Sequence, residues 1–160
     1  MTTPPGHPAA SDERLLRLDQ QICFSLNAAS RAFGGVYRVL LKDLGLTYPQ
    51  YLVMLVLWED GELPVKRIGE RLRLDSGTLS PLLKRLEAAG LVRRERSPED
   101  ERSVTVALTP EGVALRERAG QVPRRLLTAT GMPVEDLAAL RVLLDQVTAA
   151  LDSAAVEPVE

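Results

Sequence analysis

One cysteine, Cys23, and one histidine, His7, are the only thiol and imidazole in 160 residues. A structural zinc site takes about four such ligands, so no metal is expected, and a single thiol excludes an intramolecular disulfide. Long apolar runs are missing as well. No segment reaches the roughly 18 uninterrupted apolar residues of a membrane-spanning helix, and the opening MTTPPGHPAA lacks the basic and apolar blocks of a signal peptide. The expectation is a cytoplasmic protein with no membrane partner. Nor is there a Walker loop, a dinucleotide-binding glycine fingerprint, a zinc-protease histidine pair or a serine-nucleophile elbow. Nothing therefore points to an enzyme or calls for a cofactor. A net charge of −2 also argues against a generally basic nucleic-acid binder.

What is present is an ordinary globular composition, 45% hydrophobic and 26% charged, in a length that suits one core. Only Met1 to Ala10 and Ser153 to Glu160 have the character of tails. The charge is segregated. Between Lys66 and Arg102 ten basic residues face seven acidic ones, a net +3, which leaves −5 for the remainder. A basic middle of this kind binds phosphate if the fold gathers its cations on one face, and otherwise is a solvated mixed-charge surface.

Apolar spacing of three or four from Ser11 to about Lys42 predicts a long helix, capped by Ser11 or Asp12 and weakened at Gly34-Gly35. Thr47 and Pro49 open a second helix, TYPQYLVMLVLWED, apolar almost all round and so a core element. After the Asp60-Gly61 turn, Val65 to Leu72 forms a short amphipathic helix. Another follows at LDSGTLSPLLKRLEAAGL, capped by Asp75 or Ser76, with Leu79, Leu82, Leu83 and Leu86 inward and Gly90 as its stop. Pro81 leaves two alternatives, a helix beginning nearer Thr78 or one bent at the proline. The period then changes to alternation: Leu91 to Arg96, a turn at Ser97 to Asp100, and Val104, Val106 and Leu108 make a hairpin with a charged tip. Thr109-Pro110-Glu111 starts a helix running to about Gln121, and a last helix, roughly Val134 to Leu151, carries the stripe Leu137, Leu140, Leu144, Val147 and Leu151, which needs a partner.

Two short helices followed by a two-stranded wing, in that order, make a winged helix-turn-helix. The second short helix then reads base edges in the major groove of double-stranded DNA, while wing cations reach backbone or minor groove. The candidates are Ser76, Thr78, Ser80, Lys84 and Arg85 on the helix and Arg94, Arg96 and Arg102 on the wing.

These residues resemble the multiple-antibiotic-resistance regulator (MarR) family, and PEDERS at Pro98 to Ser103 is similar to that family's wing. LDQQICFSL around Cys23, TYPQYLVMLVLWE from Thr47 and LDSGTLSPLLKRLEAAGL from Leu74 resemble its organic hydroperoxide resistance branch, of the one-cysteine type. The likeness is close over Leu18 to Thr109. It implies one domain spanning 1–160, mainly α with a two-stranded wing, in which about 11–45 and 111–153 are dimerisation helices and about 47–109 is the winged helix. It further implies a homodimer on a pseudo-palindromic operator, with Cys23 as the peroxide-reactive thiol beside Tyr37 and Tyr48 of the other subunit. The wing's Arg102 would enter the minor groove, with Asp100 orienting it.

From residues alone, Cys23 reads as a small core hydrophobe. The resemblance makes it a sensor whose thiolate the two tyrosines stabilise, since a position three turns into a helix gains little from that helix's N-terminus. Without a second cysteine, its sulfenic acid would be capped by a low-molecular-weight thiol or over-oxidised. Asn27 stands where related sensors carry a tyrosine, and Gly34-Gly35 interrupts a helix that the family keeps continuous. The function expected is a repressor that releases DNA when organic hydroperoxides oxidise Cys23. The alternatives are a repressor released by a small phenolic or lipophilic ligand, with Cys23 structural; a thiol peroxidase, disfavoured by the missing resolving cysteine; and a winged helix that binds protein.

Overall fold

A computed structural model describes residues 10–154. His7 and all but the edges of the two expected tails lie outside the described residues. The chain divides into two compact units, 1–118 and 119–160.

The first unit opens with α1 (Ala10–Leu15), a 3-10 turn at Leu18–Gln20, and α2 (Ile22–Leu40). The expected single helix is thus broken, but not at its glycines: α2 runs straight through Gly34-Gly35. Two adjacent glycines cost a helix only about 1 kcal/mol each, which the rest of α2 absorbs. The break lies where Arg17 and Gln21 turn extended, with ψ of 142° and 110°. Gln21 Nε2 donates to the carbonyls of Leu15 (2.6 Å) and Arg17 (2.8 Å), satisfying acceptors that the interruption would orphan.

Thr47 caps α3 (Tyr48–Asp60) in a reciprocal box with Gln50: Thr47 Oγ1 accepts from the Gln50 N–H and Gln50 Oε1 from the Thr47 N–H. Tyr51, Val53, Met54, Val56 and Leu57 are all buried, which is why this helix is apolar around its circumference. Then come β1 (Leu63–Pro64), α4 (Val65–Leu72), α5 (Ser76–Ala88), β2 (Val92–Arg96), β3 (Val104–Leu108) and α6 (Pro110–Ala119). The wing is a sheet of three strands rather than the expected two, antiparallel in the order β1-β3-β2, with Leu63 opposite Val106 and Arg96 opposite Val104. A strand of two residues, one of them proline, is too short to show alternation in sequence.

The connection from α4 to α5 is tight for a definite reason. Arg73 takes the left-handed conformation (φ 57°), and Leu74 folds back so that its N–H donates to the Gly69 carbonyl at 2.9 Å. A Cβ at position 69 would lie 2.8 Å from the Leu74 carbonyl oxygen, so glycine is what lets the turn close. Ile68, Leu79, Leu82, Leu83, Leu86, Val92 and Val106 complete the core beneath it.

The second unit holds α7 (Val122–Thr130), which lies in the stretch between Gln121 and Val134 to which periodicity assigned no element, and α8 (Val134–Ser153). Pro123 sits in the first turn of α7, and Gly131 ends it in the left-handed conformation. No residue of α8 is buried, and Leu140, Leu143, Val147 and Leu151 are exposed. No helix among the described residues is long and apolar enough to cross a membrane.

Candidate DNA interface and thiol site

Asp75 starts α5 by accepting the Thr78 N–H at 2.7 Å, and that bond, with one from the Thr78 side chain, holds its carboxyl below the usual carboxylate range. The helix begins at Ser76 and continues through Pro81, so its start is not delayed to Thr78. Burying Leu79, Leu82, Leu83 and Leu86 turns Ser76, Thr78, Ser80, Lys84 and Arg85 outward, and all five are exposed.

The wing is fixed to this helix by one acidic residue. Glu87 accepts the Arg94 backbone N–H at 2.9 Å and its guanidinium at 3.1 Å, and those bonds hold the Glu87 carboxyl below its ordinary value of 4.5. Arg94 is thereby half-buried and committed to Glu87. At the tip, the Ser97 N–H donates to the Ser103 carbonyl at 2.8 Å, and Asp100 Oδ1 accepts the Arg102 backbone N–H at 3.0 Å. Asp100 thus shapes the turn that presents Arg102 through its backbone. Between helices and wing lies a groove of about 460 Å³, lined by Lys66 from α4, Ser76 and Ser80 from α5, and Arg94, Asp100 and Arg102 from the wing.

Intramolecular pairs remove several of the ten basic residues counted in sequence. Arg67 is bound by Glu70, Arg71 by Asp60 and Glu59, Arg93 by Glu95 and Arg94 by Glu87. Lys66, Lys84, Arg85, Arg96 and Arg102 make no ion pair among the described residues. The structure therefore brings together Ser76, Ser80, Asp100 and Arg102 as read, and adds Lys66 and Glu87. Lys66 was visible as an outward cation on a scaffold helix; Glu87 carried no signal, because one acid in a mixed-charge run predicts no partner.

Cys23 is exposed and is the second residue of α2. This corrects the expectation that it lies three turns into a helix: the break at Arg17 to Gln21 makes it part of a new first turn. Backbone N–H groups there have no intrahelical acceptor. Asn27, one turn on, donates its Nδ2–H to Cys23 Sγ at 3.7 Å. Tyr37 and Tyr48 do converge, with ring centroids 4.5 Å apart, and buried Tyr51 stands 5.9 Å from Tyr37. Burial and the two neighbouring phenols push the Tyr37 hydroxyl up to about 12, so it remains a proton donor at neutral pH. Tyr37 lies fourteen positions after Cys23 on one unbroken helix, about 21 Å of rise, so they cannot meet within a chain. No group of three or more His, Cys, Asp or Glu among the described residues could hold a metal ion.

Comparison with known proteins agrees with this architecture. The profile described as "Transcriptional regulator SarA/Rot" matches residues 35–118. The chain is 49% identical over 126 residues to the organic hydroperoxide resistance transcriptional regulator of Bacillus subtilis, covering 79% of this chain and 86% of that one. It is 52% identical over 135 residues to the HTH-type transcriptional regulator TtmR of Methylorubrum extorquens, covering 84% and 68%. Among solved structures, reduced AbfR bound to DNA superimposes with a TM-score of 0.75 at 36% identity, over 89% of this chain and 99% of that one. These relatives regulate transcription and are not enzymes. The chain belongs to the MarR/SarA family of DNA-binding, winged-helix transcriptional regulators.

Proposed function

We propose that this protein is a cytoplasmic repressor that binds operator DNA as a homodimer and releases it when an organic hydroperoxide oxidises Cys23. The observation that carries the redox reading is the exposed Cys23 thiol in the first turn of α2, in a chain close to an organic hydroperoxide regulator. Sγ attacks the terminal peroxide oxygen, the O–O bond breaks, and the alkoxide leaves to take a proton as alcohol. Cys23 is left as sulfenic acid. A low-molecular-weight thiol then condenses with it, forming a mixed disulfide and water, or further peroxide over-oxidises it.

Tyr37 and Tyr48 serve the Cys23 of the second copy, a reading supported by their distance from Cys23 in their own chain and by the phenol that stays protonated. On DNA, α5 lies in the major groove with Ser76, Thr78, Ser80, Lys84 and Arg85 toward the bases and phosphates. Arg96 and Arg102 reach the backbone and minor groove from a wing that Asp100 shapes and Arg94 fixes. Added bulk at Cys23 disturbs the half-site spacing of about one helical turn that two such wings require.

Binding to duplex DNA from upstream of the protein's own gene, measured by fluorescence anisotropy at fixed salt before and after cumene hydroperoxide, tests this. Wild type should lose about tenfold or more in affinity while Cys23→Ser keeps its own. If both variants release DNA, a ligand at the dimer interface replaces the thiol as the trigger. If neither does, the redox reading fails.

A further inference from the structure

The polar side chain that meets Cys23 Sγ among the described residues is that of Asn27, four positions along α2 and so on the same face. Both residues are exposed on this helix, and Tyr37 of the same chain is about 21 Å away along it. The thiol of each protomer therefore has a donor in its own chain before any group of a second copy arrives. We propose that Asn27 is a positioning residue for the oxidation of Cys23, its amide N–H holding Sγ in place while the sulfur attacks a hydroperoxide; the inference rests on Cys23 being the sensor.

Three physical points support it. An asparagine side chain has only two rotatable bonds, so a contact made across one helical turn fixes the cysteine rotamer at small entropic cost. Cys23 and Asn27 are both exposed, so the sulfur held by this contact stays open to a peroxide arriving from solvent. The amide also carries an acceptor, Oδ1, so that after oxidation the sulfenic O–H has a partner at the same residue. The reaction helped is the two-electron step described above: an S–O bond forms, the O–O bond breaks, the sulfur is oxidised, and the hydroperoxide is reduced to alcohol with a proton from solvent.

Three substitutions separate positioning from mere packing. Asn27→Leu keeps the size without the donor, Asn27→Asp keeps the shape but replaces the donor with a negative charge, and Asn27→Gln keeps the amide. The readout is the second-order rate of sulfenic acid formation at Cys23 with cumene hydroperoxide, trapped with dimedone and measured by mass spectrometry. Asn27→Leu should be about tenfold slower than wild type, Asn27→Asp slower still, and Asn27→Gln within about threefold. Operator affinity of the reduced proteins should be unchanged. Equal rates in all four proteins, or equal slowing in all three variants, would overturn the proposal. Failure of the sensor reading is seen separately, in wild-type protein whose DNA binding ignores the peroxide.

Discussion

Adding one methyl group at Gly112 should cost this protein more than most larger changes. The Leu91 carbonyl oxygen would stand 2.1 Å from the new Cβ, and position 112 cannot retreat, because its own carbonyl accepts the Trp58 indole N–H at 2.9 Å. Gly112→Ala is expected to lower stability by on the order of 3 kcal/mol, read in a urea melt. The Glu87–Arg94 pair gives a pH-dependent counterpart. The folded value of Glu87 lies below its unfolded one, so the pair stabilises the fold above pH 4.5 and that contribution is lost as pH falls through the folded value. Wild type should exceed Glu87→Gln in Tm at pH 7, and the two should converge at the acid end. Tyr37 works in the opposite sense. Its raised value favours the neutral phenol in the folded state, so its contribution is complete below pH 10 and is lost as pH rises through about 12. Absorbance at 295 nm should show one tyrosine ionising near 12, and Tyr37→Phe should remove that step.

At the level of elements, the basic residues divide by whether the fold has already employed them. Replacing Arg102 or Lys84 by alanine should weaken DNA binding about uniformly across sequences. Each should also reduce the slope of log K against log salt by roughly one per protomer. Arg94→Ala should instead loosen the wing, which hydrogen exchange at β2 would reveal, with a smaller change in salt slope. The paired short helices were legible because Leu79, Leu82, Leu83 and Leu86 keep helical spacing while Asp75 and Gly90 mark the ends. The hairpin was legible through its alternation. What escaped the sequence was set by contacts rather than patterns: the break before Ile22, held by Gln21 Nε2 on two carbonyls, and β1, which exists only because Leu63 finds Val106. The first of these mattered most for the site. Periodicity carried one helix across the break and so buried Cys23 in mid-helix, where the fold puts it in a first turn. Tyr37 and Tyr48 came from family resemblance, whereas the role of Asn27 needed coordinates, since i and i+4 spacing alone does not say that an amide faces a thiol.

For the whole molecule, the informative surface is the one left uncovered. Ile22, Phe24 and Val39 of α2 are exposed, as are Leu140, Leu143, Val147 and Leu151 of α8, in numbers that a solitary soluble chain does not sustain. The periodic stripe was readable in sequence; its occupant was not, and a second copy is the reading the family supports. Leu143→Glu with Val147→Glu should yield a monomer by sedimentation while leaving the circular dichroism unchanged, because no residue of α8 is buried. Operator affinity should fall about 100-fold or more, since each half-site is then bound alone. The unbroken span of α2 has a genetic consequence of its own. Because it keeps Cys23 and Tyr37 of one chain apart, the proposed sensor predicts that a Cys23→Ser protein and a Tyr37→Phe, Tyr48→Phe protein should each be defective as homodimers but complement each other when mixed. If, as proposed, the cysteine of one chain is served by both tyrosines of the other, peroxide sensing should return in the heterodimer at one site of two. Two alleles that fail singly would thus respond together in the same cell.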